Sequence, residues 1–197
     1  MKKITFFIAV LLFAFAVLAV SVVKTVAIEG QATSQNYKIT APTTTESVQK
    51  QEVDYFLAYP GILPDHFLYP VKMVRDRIWL WLTVEPRKKA ELMLLLADKR
   101  LGAGKVLIEG NKIDLGVSTL GKAEKYLQRT LAQAQAIQKQ DEATRVFWEK
   151  LAKAADKHEE ILLLLKEKVE DSAKPALEES LNLVQQIQTQ IEQALNK

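Results

Sequence analysis

Along this chain the apolar positions change pattern three times, and each pattern names a different kind of segment. From Ile4 to Val23 the residues are uncharged and almost wholly apolar, with Lys2 and Lys3 in front. Roughly 20 residues rising about 1.5 Å each reach about 30 Å, the thickness of a bilayer's hydrocarbon core. Residues 30–51, "GQATSQNYKITAPTTTESVQKQ", are rich in Thr, Ser and Gln and nearly free of large apolar groups. Such a stretch buries too little surface to offset its ordering entropy and reads as a flexible tether. Beyond it, apolar residues recur at intervals of three and four, the period of an amphipathic helix, and Gly and Pro gather between the periodic runs.

Five helices follow from that period. The first spans about Pro70 to Leu82, with Pro70 in the first turn, where a missing N–H costs nothing. Val71, Val74, Ile78, Trp81 and Leu82 form its apolar stripe, and Met73 and Leu80 lie opposite, with Trp79 between. The second runs from Pro86 to about Glu109 and has two apolar faces, one through Leu92, Leu95, Leu96, Ala103 and Val106, the other through Ala90, Leu94, Ala97, Leu101 and Ile108. "EGNKIDLG" then breaks the chain, with Gly110 expected as a left-handed cap. Ser118 or Thr119 is expected to cap the third helix, which runs to about Lys139 along a seam of Leu120, Ala123, Leu127, Thr130, Ala134 and Ile137. The fourth occupies about 141–169, with Phe147, Leu151, Ala154, Ile161 and Leu165 on one stripe. The fifth opens at Pro175 and aligns Leu177, Leu181, Val184, Ile191 and Leu195 to about 196. Short connections make neighbouring helices antiparallel. The fold class is all-α: a spanning or signal helix within 1–24, a tether over 25–54 and an antiparallel bundle of about five helices over 55–197.

"YPGILPDHFLYPVKMVRDRIWLWL" (59–82) concentrates prolines and aromatics where the bundle begins. Pro60, Gly61 and Pro64 hold the chain extended, and Asp65 can cap a turn into Pro70. Tyr59, Phe67 and Tyr69 are then expected across the bundle end, with Trp81 as a large filler. The other reading of this stretch is a surface: Lys72, Arg75 and Arg77 beside tryptophans describe a helix lying at a membrane interface, and Met73, Trp79 and Leu80 could receive a partner helix. The last two helices, Gln- and Glu-rich outside their seam, either complete the bundle or pair with another chain as a short coiled coil.

Composition narrows the function. Lys2, Lys3 and Lys24 flank the apolar run, and from residue 25 onward 24 basic residues meet 24 acidic ones. The pI near 8.9 therefore comes from the flanks of the anchor, and nucleic-acid binding, which needs a basic surface, is not expected. The two lysines favour a cytoplasmic N-terminus and an extracytoplasmic bundle at the cell membrane. Cleavage near Ala19-Val20-Ser21 or Thr25-Val26-Ala27 would instead make it a secreted protein. With no cysteine, disulfides, thiolate catalysis and cysteine metal sites are excluded.

Chemical motifs are sparse. "LGAGKV" (101–106) fails as a phosphate loop, because Lys99 stands at the first glycine position and Val106 at the Ser/Thr position. Gly102 and Gly104 are better read as permitting a close helix approach. His158 falls on the apolar stripe between Ala154 and Ile161, as a packed, hydrogen-bonded histidine or a lone metal ligand; "HEE" (158–160) lacks the second histidine of a zinc helix. Adjacent carboxylates such as Glu159/Glu160 and Glu178/Glu179 diverge around a helix and do not converge on a substrate. No residue is assigned a catalytic or cofactor-binding role, and no cofactor is expected.

"LPDHFLYPVKMVRDRI" (63–78) followed by "EPRKKAELMLLLADKRL" (85–101) resembles a bacterial extracytoplasmic family, the domain of unknown function 5667. Its members show a Leu-Pro-Asp lead, a Tyr-Pro-x-Lys step, a basic amphipathic helix and a Lys-Lys-Ala-Glu segment running into Ala-Asp/Glu-x-Arg-Leu. The resemblance covers about 57–135. His66-Phe67 replaces a small polar residue and a proline, and Gly102 and Gly104 interrupt a helix elsewhere richer in Ala and Glu. The resemblance implies an exported helical module and transfers no catalytic residue. The expected function is thus a non-enzymatic, membrane-anchored scaffold or protein–protein interaction module, with Met73, Trp79 and Leu80 as its interaction surface. Its partners would be the bilayer, through the N-terminal helix, and a protein or a second copy. The alternative is a small-ligand or metal sensor centred on His158.

Overall fold

The computed structural model describes residues 53–139 and 141–196. The N-terminal anchor and most of the tether lie outside the described residues. Among the described residues there are five helices and no strand: α1 (Tyr69–Leu82), α2 (Pro86–Glu109), α3 (Ile113–Gln135), α4 (Glu142–Lys168) and α5 (Lys174–Leu195). No described helix is long and apolar enough to cross a membrane.

Helices α2 and α3 form one hairpin and α4 and α5 a second, and the hairpins pack with α3 on α5 and α2 on α4. The core is aliphatic, with Leu94, Leu101, Leu120, Leu127, Leu151, Leu162, Leu165 and Leu177 all essentially sealed from solvent. The seams read from the sequence of α3 and α4 are buried throughout, and α2 is buried along both of its faces apart from the half-buried Leu95 and the exposed Val106. The bundle proper thus has four helices. Helix α1 lies outside it, with α2 as its helical neighbour.

The α2–α3 turn is shorter than the sequence suggests. Asn111, at φ 61°, is the left-handed residue, whereas Gly110 has an ordinary φ of −85°. The amide of Lys112 donates to the carbonyl of Leu107 (2.8 Å) and that of Asn111 to Ile108 (3.0 Å), the paired bonds of a Schellman cap. Asparagine tolerates the left-handed region well enough to take the place expected of glycine. With the reversal finished in three residues, α3 starts at Ile113, ahead of the expected Ser118 or Thr119. Gly116 belongs to the helix and serves its packing. A Cβ there would come within 2.5 Å of Ile108 Cγ1, and one on Gly104 within 2.5 Å of Leu120 Cδ2. The pairing of 104 with 120 and 108 with 116 runs antiparallel, so these glycines set the close crossing of the hairpin. Gly102 faces the other way, toward Leu57 and Pro60 of the extended N-terminal segment, each 3.5 Å from where a Cβ would stand.

Helix α4 has the clearest start. Asp141 accepts a hydrogen bond from the Thr144 amide (2.9 Å), which satisfies one of the free first-turn donors. Lys166 and Lys168 in its last turn complement the helix dipole.

Candidate functional site

Two features of this fold carry chemistry beyond ordinary packing. The first is buried. Asp98 from α2, Glu124 from α3 and His158 from α4 each sit where helical spacing directs a side chain inward, and they meet at the centre of the bundle. The His158 Nδ1–H donates to both carboxylate oxygens of Glu124, at 2.9 and 3.0 Å, and its Nε2–H to Asp98 Oδ1 at 3.3 Å. The second Asp98 oxygen accepts from the Tyr55 hydroxyl at 2.7 Å. His158 and Glu124 are completely buried and Asp98 nearly so.

Burial pushes the imidazole toward its neutral form. The Glu124 charge and the hydrogen bonds from both carboxylates outweigh it and lift the His158 pKa to about 9. An imidazolium between two carboxylates is therefore the state that fits the geometry. The Tyr55 hydroxyl, desolvated and beside Asp98, is held well above the usual phenol range. Both ring nitrogens of His158 are engaged, so neither offers a lone pair to a metal, and among the described residues no group of three or more His, Asp or Glu side chains is arranged to hold a metal ion. The cluster ties three helices and the N-terminal segment together. With His158 fully sealed, it offers no surface to a substrate.

The second feature is α1, which packs with its charged edge inward. Asp76 is its only buried residue. The Met73 sulfur accepts from Arg100 Nη2 of α2 at 3.5 Å, and the Arg100 guanidinium lies 4.0 Å from the ring centroid of Tyr126 on α3. The Lys72 ammonium donates to the carbonyls of Pro60 (2.7 Å) and Ile62 (2.9 Å). Desolvation lowers its pKa, against the opposing pull of Asp76. At the N-terminal end, Asp65 pairs with Lys112 rather than capping α1, whose start has no side-chain cap.

This inward edge leaves the apolar stripe facing out. Val71 is 65 % exposed, Trp81 79 % and Val84 87 %, and Val74, Ile78, Leu82 and Phe67 are exposed beside them. The expectation that Trp81 fills the bundle end, with Tyr59 and Phe67 across it, is therefore corrected: all three stand in solvent, and only Tyr69 is half-buried. The cause is the seating of α1, which turns Met73, Asp76 and Leu80 inward, with Met73 against Arg100 of α2, and so turns the opposite side away. Of the interaction surface read from the sequence, Met73 and Leu80 are half-buried toward the bundle, and Trp79 lies at the border, about half exposed.

The Asp98–Glu124 pair went unread in the sequence, although a signal exists. Glu124 interrupts the Leu120–Leu127 seam and Asp98 lies between Leu94 and Leu101, each on an apolar stripe at a spacing of three or four. An acidic residue on such a stripe needs a buried partner, and His158 was the residue free to supply it.

The chain belongs to the family described as Domain of unknown function (DUF5667), whose model matches residues 61–172. No curated protein and no solved structure matches it.

Proposed function

We propose that this chain is a non-enzymatic, extracytoplasmic scaffold of the cell envelope, anchored through its N-terminal apolar segment and working by docking rather than turnover. The observation that carries this reading is the outward apolar stripe of α1. A surface helix normally buries its apolar face against the core; here the side through Met73, Asp76 and Leu80 is turned in and the larger apolar stripe is presented. A contiguous exposed apolar patch of this kind marks a docking surface. The rigid four-helix body supports it, since the buried histidine cluster fixes α2, the helix on which α1 rests.

The double variant Val74→Asp/Ile78→Asp tests the reading in the full chain. Both side chains are more than half exposed, so the melting temperature should stay unchanged. A photoreactive side chain at position 81 should form an adduct in the native membrane, and the double variant should abolish it. A steep fall in melting temperature would show the stripe to be core and remove the basis of the proposal.

A further inference from the structure

The occupant of the α1 stripe follows from its borders. Around the helix, Val71, Val74, Ile78, Trp81 and Leu82 span one side, with Arg77 on one edge and Arg75 on the other. Both arginines are exposed; Arg75 pairs at 2.7 Å with Asp76, the single acidic residue of the helix, which is itself buried. The presented surface is thus apolar in the middle, with the cationic Arg77 on one rim and Trp79 beside the Arg75–Asp76 pair on the other. That is the side-chain arrangement of a helix lying in the plane of a lipid surface, its apolar side about 5–10 Å into the headgroup boundary. Tryptophan favours the same depth, where its ring is apolar and its N–H is wet.

A second copy fits less well. Two such stripes packed antiparallel would set one Arg77 rim against the other, a like-charge juxtaposition that opposes association. Chain length favours lipid independently. If Ile4–Val23 stays in the bilayer, residues 24–52 separate it from Val53. Even fully extended, a segment of that length spans at most roughly 100 Å, which ties α1 to the neighbourhood of the leaflet on its own side and raises its effective concentration there.

We infer that α1 lies on the anionic lipid surface of the membrane that holds the N-terminal anchor and seats the bundle against it. This rests on the docking reading above and names the partner. The protein contains three tryptophans, Trp79, Trp81 and Trp148, and Trp148 is buried in the core, so emission can be assigned. The full chain would be reconstituted into vesicles of phosphatidylglycerol and phosphatidylethanolamine with brominated acyl chains. Bromine should quench part of the emission, Trp81→Phe should remove most of that quenched part, and Val74→Asp/Ile78→Asp should abolish the effect. Purely zwitterionic vesicles should quench less. Emission shielded from iodide but untouched by bromine would overturn the lipid assignment and leave docking on a protein standing. Emission open to iodide and untouched by bromine would overturn both, and a chain that fails to float with the vesicles would remove the anchor on which the assignment depends.

Discussion

At the scale of single residues, His158 couples the fold to pH. Its pKa in the folded state, about 9, lies above the unfolded value of 6.5. The stabilisation by the charged triad is therefore complete below pH 6.5 and is lost as pH rises through about 9. At about 1.4 kcal/mol per pH unit of displacement, the loss across that window is on the order of 3 kcal/mol. The groups facing the ring are Glu124 and Asp98, with Tyr55 behind Asp98; the raised Tyr55 keeps its proton throughout the window. Urea unfolding on both sides of the window should show this alkaline loss. Glu124→Gln, which removes the strongest influence favouring the charged ring, should move its midpoint to lower pH, and an NMR titration of the His158 ring should move with it. Stability flat between pH 6.5 and 9 would mean that the ring is neutral in the fold. His158→Ala is the harsher change: it leaves two carboxylates buried without a counter-charge and should cost about 3–5 kcal/mol.

At the scale of elements, α3 holds two glycines with opposite roles. Gly116 sits at the close crossing, where a Cβ would meet not only the Ile108 side chain but also the Ile108 amide and the Gly104 carbonyl at 3.1 Å. Backbone cannot step aside as a side chain can, so Gly116→Ala should destabilise by about 1–3 kcal/mol. Gly121 has nothing within 4 Å of its Cβ position and a helical backbone, so Gly121→Ala should stabilise by up to about 1 kcal/mol through helix propensity alone. Paired denaturant melts decide the matter: equal shifts of the same sign would contradict the crossing geometry. The same helix shows what sequence pattern can reach. The seam from Leu120 to Ile137 was legible because each residue lies three or four from the next and all are buried. The start was not, because the residue at the N-cap position is Lys112, which makes no side-chain cap, and Asn111 closes the turn by backbone conformation, which periodicity does not encode. Helix α1 was misjudged for a related reason. Its period identifies the stripe but not the side on which the stripe lies, and the tertiary contact of Met73 with Arg100 decides that.

At the scale of the whole molecule, the helices follow from a local period, while the buried cluster needs residues as far apart as Tyr55 and His158. Only the fold brings these together, so the site was less legible than the architecture. The entry of the chain into the bundle depends on the same long-range contacts. The Val53 amide donates to Glu160 on α4 (3.0 Å), Tyr55 to Asp98 on α2 (2.7 Å), and Leu57 and Pro60 cross α2 at Gly102. On the proposed reading, tension from the membrane would reach the body through this segment first, and its fastening to the central cluster spreads the load over three helices. Tyr55→Phe keeps the ring and removes the hydroxyl, so one oxygen of a nearly buried carboxylate loses its donor. That should cost about 1–3 kcal/mol in urea unfolding. Hydrogen exchange should rise in α2 around Asp98 and Gly102 while α5, which has no contact with the segment through these bonds, keeps its protection. A variant as stable as the wild type would show that Tyr55 does not reach Asp98 in solution. The entry segment would then be an ordinary leader packed on the surface, and the load path would begin at α1.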